Sequence, residues 1–128
     1  MLPKTILIVD DLLTLRQSVR ILLERQGYTV EEAADGREAL QKIAESSPDL
    51  MLLDLMMPGM NGVRVLEQIE ANGTLQDVPI IVLTAVADKW QMRKYLEMGA
   101  TDYLLKPFTP NALLDCVRGV LGEDKPAV

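Results

Sequence analysis

The chain has 128 residues, 13 basic and 19 acidic, for a formal charge of −6 with no histidine and one cysteine. That length fits one domain able to bury roughly two-thirds of the surface it exposes when unfolded. The composition excludes an internal disulfide and leaves no basis for a zinc site or a histidine-based catalytic apparatus. The acidic balance opposes nucleic acid, and the Lys and Arg residues are scattered rather than gathered in one run, so direct nucleic-acid binding is not expected.

Met1 to Thr5 leads into a short apolar run that ends in acids, too short for a signal peptide or a membrane span. The cytosol is the expected compartment. The run itself, Ile6-Leu7-Ile8-Val9, is the pattern of a strand buried on both faces. Leu12 to Gln26 carries Leu15, Val19, Leu22 and Leu23 on one helical face and stops at Gly27. Tyr28-Thr29-Val30 is short and β-rich. Asp35-Gly36 marks a turn before Arg37 to Ser46, where Ala39, Leu40 and Ile43 fall at helical spacing. Leu50 to Leu53 reads as another buried strand, with Met51 in the core. Pro58-Gly59 and Asn61-Gly62 signal a loop, which also holds Met56, Met57 and Met60. Gly62 reads only as a loop and helix-start glycine.

Val63 to Ala71 is expected to be a helix with Val65, Leu66 and Ile69 inward, and Pro79 to Leu83 a fourth strand. Asp88 to Met98 is a helix closed by Gly99, with Trp90 as either a surface aromatic or an interface anchor. Tyr103-Leu104-Leu105 is a fifth strand. Thr109 to Leu121 is the last helix, with Thr109 as N-cap and Pro110 at its first position. Residues 1–122 are expected to form the domain, and 123–128 a tail or the start of a linker. This alternation predicts an α/β fold: a doubly wound, five-stranded parallel sheet in the order 2-1-3-4-5 with five helices. In such a sheet the ligand crevice lies beyond the carboxyl ends of the strands, at the switch point between the first and third.

The strand ends carry the chemistry. The first ends in Asp10-Asp11, the third in Asp54, the fourth in Thr84 and the fifth in Lys106-Pro107. Three acids brought together repel one another and call for a cation, and oxygen ligands favour Mg²⁺. An aspartate is also a competent nucleophile towards phosphorus. Phosphoryl transfer then needs positioning and neutralisation of spread charge, which Mg²⁺ and Lys106 would supply, and the Thr84 hydroxyl is suited to a phosphoryl oxygen.

The segments ILIVDD, PDLMLLDLMMPGMNG, VPIIVLTA and GATDYLLKPF, in that order, resemble the receiver domains of two-component response regulators (the CheY-like family) over about Ile6 to Leu121. The resemblance implies that Asp54 accepts a phosphoryl group from a histidine kinase or phosphotransfer protein. It implies Mg²⁺ held by Asp10, Asp11, Asp54 and the backbone carbonyl of Met56. Thr84 and Tyr103 become the switch pair, and Lys106 the phosphate-binding lysine ahead of a cis bond to Pro107. The surface of the fourth helix, fifth strand and fifth helix would meet a downstream target, an output domain or a second copy of the chain. Met56 and Val86, two residues past the acceptor and the switch threonine, would flank the phosphoryl group and slow its hydrolysis.

Two other readings compete. A Mg²⁺-dependent phosphatase with an aspartyl-phosphate intermediate also places aspartates at strand ends. It usually carries a second aspartate two residues past the nucleophile, and here that residue is Met56. A flavin-mononucleotide-binding fold would need a Ser, Thr and Gly-rich loop after the first strand, where this chain has Asp10-Asp11-Leu12-Leu13.

Overall fold

A computed structural model describes residues 2–56, 62–72, 78–86 and 88–123. The loop signals at Pro58-Gly59 and Asn61, the methionines Met57 and Met60, and the tail from 124 to 128 lie outside them.

The elements alternate as expected: β1 Thr5–Val9, α1 Leu13–Arg25, β2 Thr29–Ala33, α2 Gly36–Glu45, β3 Leu50–Asp54, α3 Gly62–Asn72, β4 Ile80–Thr84, α4 Lys89–Glu97, β5 Asp102–Leu105 and α5 Pro110–Leu121. The five strands form one sheet in the order β2-β1-β3-β4-β5, with every pair parallel. The predicted fold class is the observed one.

The three central strands are continuous apolar runs because both of their faces are covered. Alternate residues serve opposite layers. Leu7, Val9, Met51, Leu53 and Val82 pack with Ala39, Ile43, Val65, Leu66, Ile69 and Tyr95 of α2, α3 and α4. Ile6, Ile8, Leu50, Leu52, Ile81 and Leu83 pack with Val19, Leu23, Leu113 and Val117 of α1 and α5. Truncating any of these buried leucines to alanine is expected to cost about 2–5 kcal/mol.

Local signals set the helix ends. Asp35 caps α2 by accepting the Glu38 N–H at 2.8 Å, and Thr109 caps α5 by accepting the Ala112 N–H at 3.1 Å. Gly27 and Gly99, just past α1 and α4, adopt φ of 94° and 111°, a region that disfavours residues with a Cβ.

The second strand differs from its expected extent. It runs to Ala33, three residues past Val30. Glu31 and Glu32 hid it, since acids are depleted in strands. Each face of this edge strand carries one apolar residue and one glutamate, Val30 with Glu32 and Ala33 with Glu31, and both glutamates are partnered: Glu31 with Ser46, Glu32 with Arg16 and Arg20.

Candidate functional site

The crevice at the β1/β3 switch point is built from chain segments that leave the sheet together. Asp10 follows β1 directly, and its N–H bonds the Ala33 carbonyl at 3.1 Å, so it still tracks β2. Its carboxylate is fully buried. Oδ1 accepts the Leu12 N–H at 3.0 Å, and Oδ2 meets Lys106 Nζ at 2.8 Å. Asp54 closes β3, only 3% exposed. Its Oδ1 accepts the Met56 N–H at 3.0 Å and lies 3.5 Å from Lys106 Nζ. Asp11 is exposed, yet one carboxylate oxygen from each of Asp10, Asp11 and Asp54 can be chosen so that all three lie within 4.8 Å of one another.

Burial pushes the Asp54 carboxyl above its ordinary range. The Met56 N–H pulls it down, Asp10 pushes it up, and Lys106 pulls it down, and the balance stays raised. Lys106 meets two of the three carboxylates, so the acids outnumber the cation that faces them. An all-oxygen donor set of this kind fits a hard divalent cation.

Lys106 reaches the crevice from the end of β5, where its N–H bonds the Thr84 carbonyl at 2.8 Å and its peptide bond to Pro107 is cis, as expected. Thr84 is buried at the end of β4, and its Oγ1 accepts the Val86 N–H at 3.1 Å. Tyr103 is half-buried, registers with Val82 and packs against the core beneath α2, α3 and α4. Met56 touches the site through its N–H, although the residue is 73% exposed, and Val86 is 38% exposed. Trp90 stands out from α4 at 71% exposure, with Lys94 Nζ 5.9 Å from its ring centre.

Two residues of this corner escaped the sequence reading. Gly62 is more than a helix-start glycine. A Cβ there would lie 2.4 Å from the Asp54 carbonyl oxygen and 2.6 Å from Leu55 Cα, so α3 begins against the very end of β3. Arg16, near the start of α1, donates to the Asp10 carbonyl six residues back. Its position in a polar helix face gave no hint of that contact.

An aspartate ending the third strand of a 2-1-3-4-5 sheet, flanked by two further acids and a lysine, defines a receiver-type module. The profile of the response regulator receiver domain matches residues 6–118. The chain is 39% identical over 126 residues to the phosphate regulon transcriptional regulatory protein PhoB of Pseudomonas aeruginosa, covering 98% of this chain and 55% of that one. It is 44% identical to the DNA-binding response regulator MtrA of Mycolicibacterium smegmatis, covering 95% and 53%. Among solved structures, the chemotaxis response regulator CheY4 of Vibrio cholerae superposes with a TM-score of 0.87 at 36% identity, over 92% of this chain and 98% of that one. The chain belongs to the response regulator receiver family.

It spans about half the length of the curated relatives named here. DNA binding in the name of MtrA is said of that protein, of which this chain matches about half, and it stands partly against the expectation of no direct nucleic-acid binding. Among the described residues, no helix is long and apolar enough to cross a membrane.

Proposed function

We propose that this chain is a phosphorylation-activated receiver in which Asp54 takes a phosphoryl group from a histidine kinase or phosphotransfer protein. The observation that carries this reading is the meeting of Asp10, Asp54 and Lys106 within 3.5 Å contacts at the switch point, with Asp11 beside them. Asp10, Asp11, Asp54 and the Met56 carbonyl would hold Mg²⁺, which when bound offsets charge on the transferred group. The Asp54 carboxylate oxygen forms the new P–O bond as the bond from phosphorus to the donor breaks. Lys106 turns from Asp10 and Asp54 towards the added phosphoryl oxygens.

Thr84 Oγ1, now accepting the Val86 N–H, then donates its hydroxyl proton to a phosphoryl oxygen, and Tyr103 follows into the space it leaves. The α4-β5-α5 surface changes and is read by a protein target, an output domain or a second copy, a two-state element biased by one local charge change. In such a cycle the chain assists only its own phosphorylation and dephosphorylation. With Met56 where a phosphatase would need an acid, turnover of an external substrate is disfavoured. A cytoplasmic setting fits this donor chemistry. Glu123 is tied back by the Tyr28 hydroxyl and faces Lys4 at 3.9 Å, so the domain's fastening reaches one residue past the expected boundary at 122.

Intact-protein mass after incubation with acetyl phosphate tests the reading. One adduct that needs Mg²⁺ and is absent from Asp54→Ala supports it. An equal adduct in Asp54→Ala, or one indifferent to chelation of Mg²⁺, overturns it.

A further inference from the structure

Asp10 and Asp11 project from a loop whose helix has a weak start. Leu12, at the N-cap of α1, offers no side-chain cap, and the Leu12 N–H is taken by the Asp10 carboxylate itself. An oxygen needed for a cation is thus also holding the loop. One tie avoids this conflict. Arg16 Nη1 donates to the Asp10 backbone carbonyl at 2.7 Å, the short distance of a charge-assisted bond. That carbonyl belongs to the rigid peptide unit joining Asp10 to Asp11, so its direction fixes the bearing of Asp11 relative to Asp10.

Arg16 is itself held. Its Nε donates to Glu32 Oε1 at 3.1 Å, and Arg20 Nε takes Glu32 Oε2 at 2.7 Å. Glu32 registers with Ile8 on β2, the strand whose Ala33 carbonyl receives the Asp10 N–H. The Arg16 side chain is only 13% exposed and that of Glu32 24%, so their contact is partly shielded from water.

We infer that Arg16 is a positioning residue for the acidic pair, locked by Glu32, and that it sets the affinity of the site for a divalent cation without touching the cation. This inference rests on the Mg²⁺ reading above. Groups that orient ligands are typically worth about 10–100-fold in metal affinity.

The test is Mg²⁺ titration of the unphosphorylated full chain by calorimetry, with thermal unfolding in chelator measured alongside. Arg16→Gln is expected to weaken Mg²⁺ binding about tenfold at a temperature well below its unfolding. Arg16→Lys, which keeps the charge but reaches one acceptor at a time, should fall between it and wild type. Glu32→Gln should show a smaller loss in the same direction, and the Arg16→Gln/Glu32→Gln double variant no more loss than Arg16→Gln alone. A folded Arg16→Gln with wild-type Mg²⁺ affinity, even at a lower Tm, overturns the inference while leaving the site reading intact. Should Arg16→Gln not fold, wild-type affinity in both Arg16→Lys and Glu32→Gln overturns it equally. Wild type that binds no Mg²⁺ overturns the site reading itself, and the inference with it.

Discussion

Asp54 sits where burial and the neighbouring Asp10 disfavour its charge, while the Met56 N–H and Lys106 favour it. A nucleophilic carboxylate must be ionised, so these last two contacts matter to reactivity as well as to geometry. Lys106→Ala removes the counter-charge from two buried acids, and labelling is expected to become slower and to lose its coupling to Tyr103. The check is acetyl phosphate kinetics alongside Tyr103 NMR shifts. Met56 and Val86 bring no polar side-chain atom with which to order an attacking water. Met56→Asn is therefore expected to hasten loss of the phosphoryl group by up to about tenfold, the worth of roughly one neutral hydrogen bond. An unchanged decay rate, followed by mass, would count against the expectation that Met56 slows hydrolysis. Cys116 is a different case. Burial and the nearby Asp102 push its thiol up to about 12, so almost none is thiolate at neutral pH. Ellman's reagent at pH 8 should react slowly with the folded chain and at the ordinary rate once urea unfolds it.

At the scale of elements, the site depends on how closely α3 approaches β3. Gly62→Ala must push either the helix start or the end of β3 aside, since the atoms in the way are backbone. A loss of about 1–3 kcal/mol in urea unfolding is expected, together with slower phosphorylation if the end of β3, which carries Asp54, is the part that shifts. A second junction fastens the far end of α5. The Tyr28 hydroxyl donates to Glu123, and burial followed by that contact pushes the phenol up to about 12. The folded value lies above the unfolded one of about 10, so the contribution is complete below pH 10 and is lost as pH rises through about 12. Ultraviolet titration should show a phenol near 12 that Tyr28→Phe removes.

These junctions also mark where the sequence stops being legible. The strand ends could be read because apolar runs stop at Asp10, Asp54, Thr84 and Lys106, and the topology brings those stops together. Arg16 and Gly62 could not, because each acts on a backbone carbonyl contributed by another segment, and a carbonyl leaves no trace in residue identity. The far half of β2 was hidden for a related reason. Glu31 and Glu32 look like loop residues until their partners on α1 and at Ser46 are known.

For the whole molecule, one sheet with two covered faces gathers its chemistry at the carboxyl ends of the strands, next to the α4-β5-α5 surface that the proposed switch alters. Three acids gathered at those strand ends outnumber the one lysine that meets them, and a bound divalent cation is expected to add stability. Mg²⁺ at a hundred times its dissociation constant should add about 2.7 kcal/mol, a rise in Tm of roughly 10 °C. Asp11→Asn should lose most of that rise, yet be at least as stable as wild type in chelator, since it removes an exposed like charge from the cluster. Differential scanning calorimetry with and without Mg²⁺ checks both. The account as a whole turns on which carboxylate carries the phosphoryl group. Borohydride reduction of the acyl phosphate followed by peptide sequencing by mass converts that residue to homoserine and locates it. The account predicts homoserine at position 54 alone; homoserine at position 10 or 11, or none at 54 in a chain that has taken up phosphate, would contradict it.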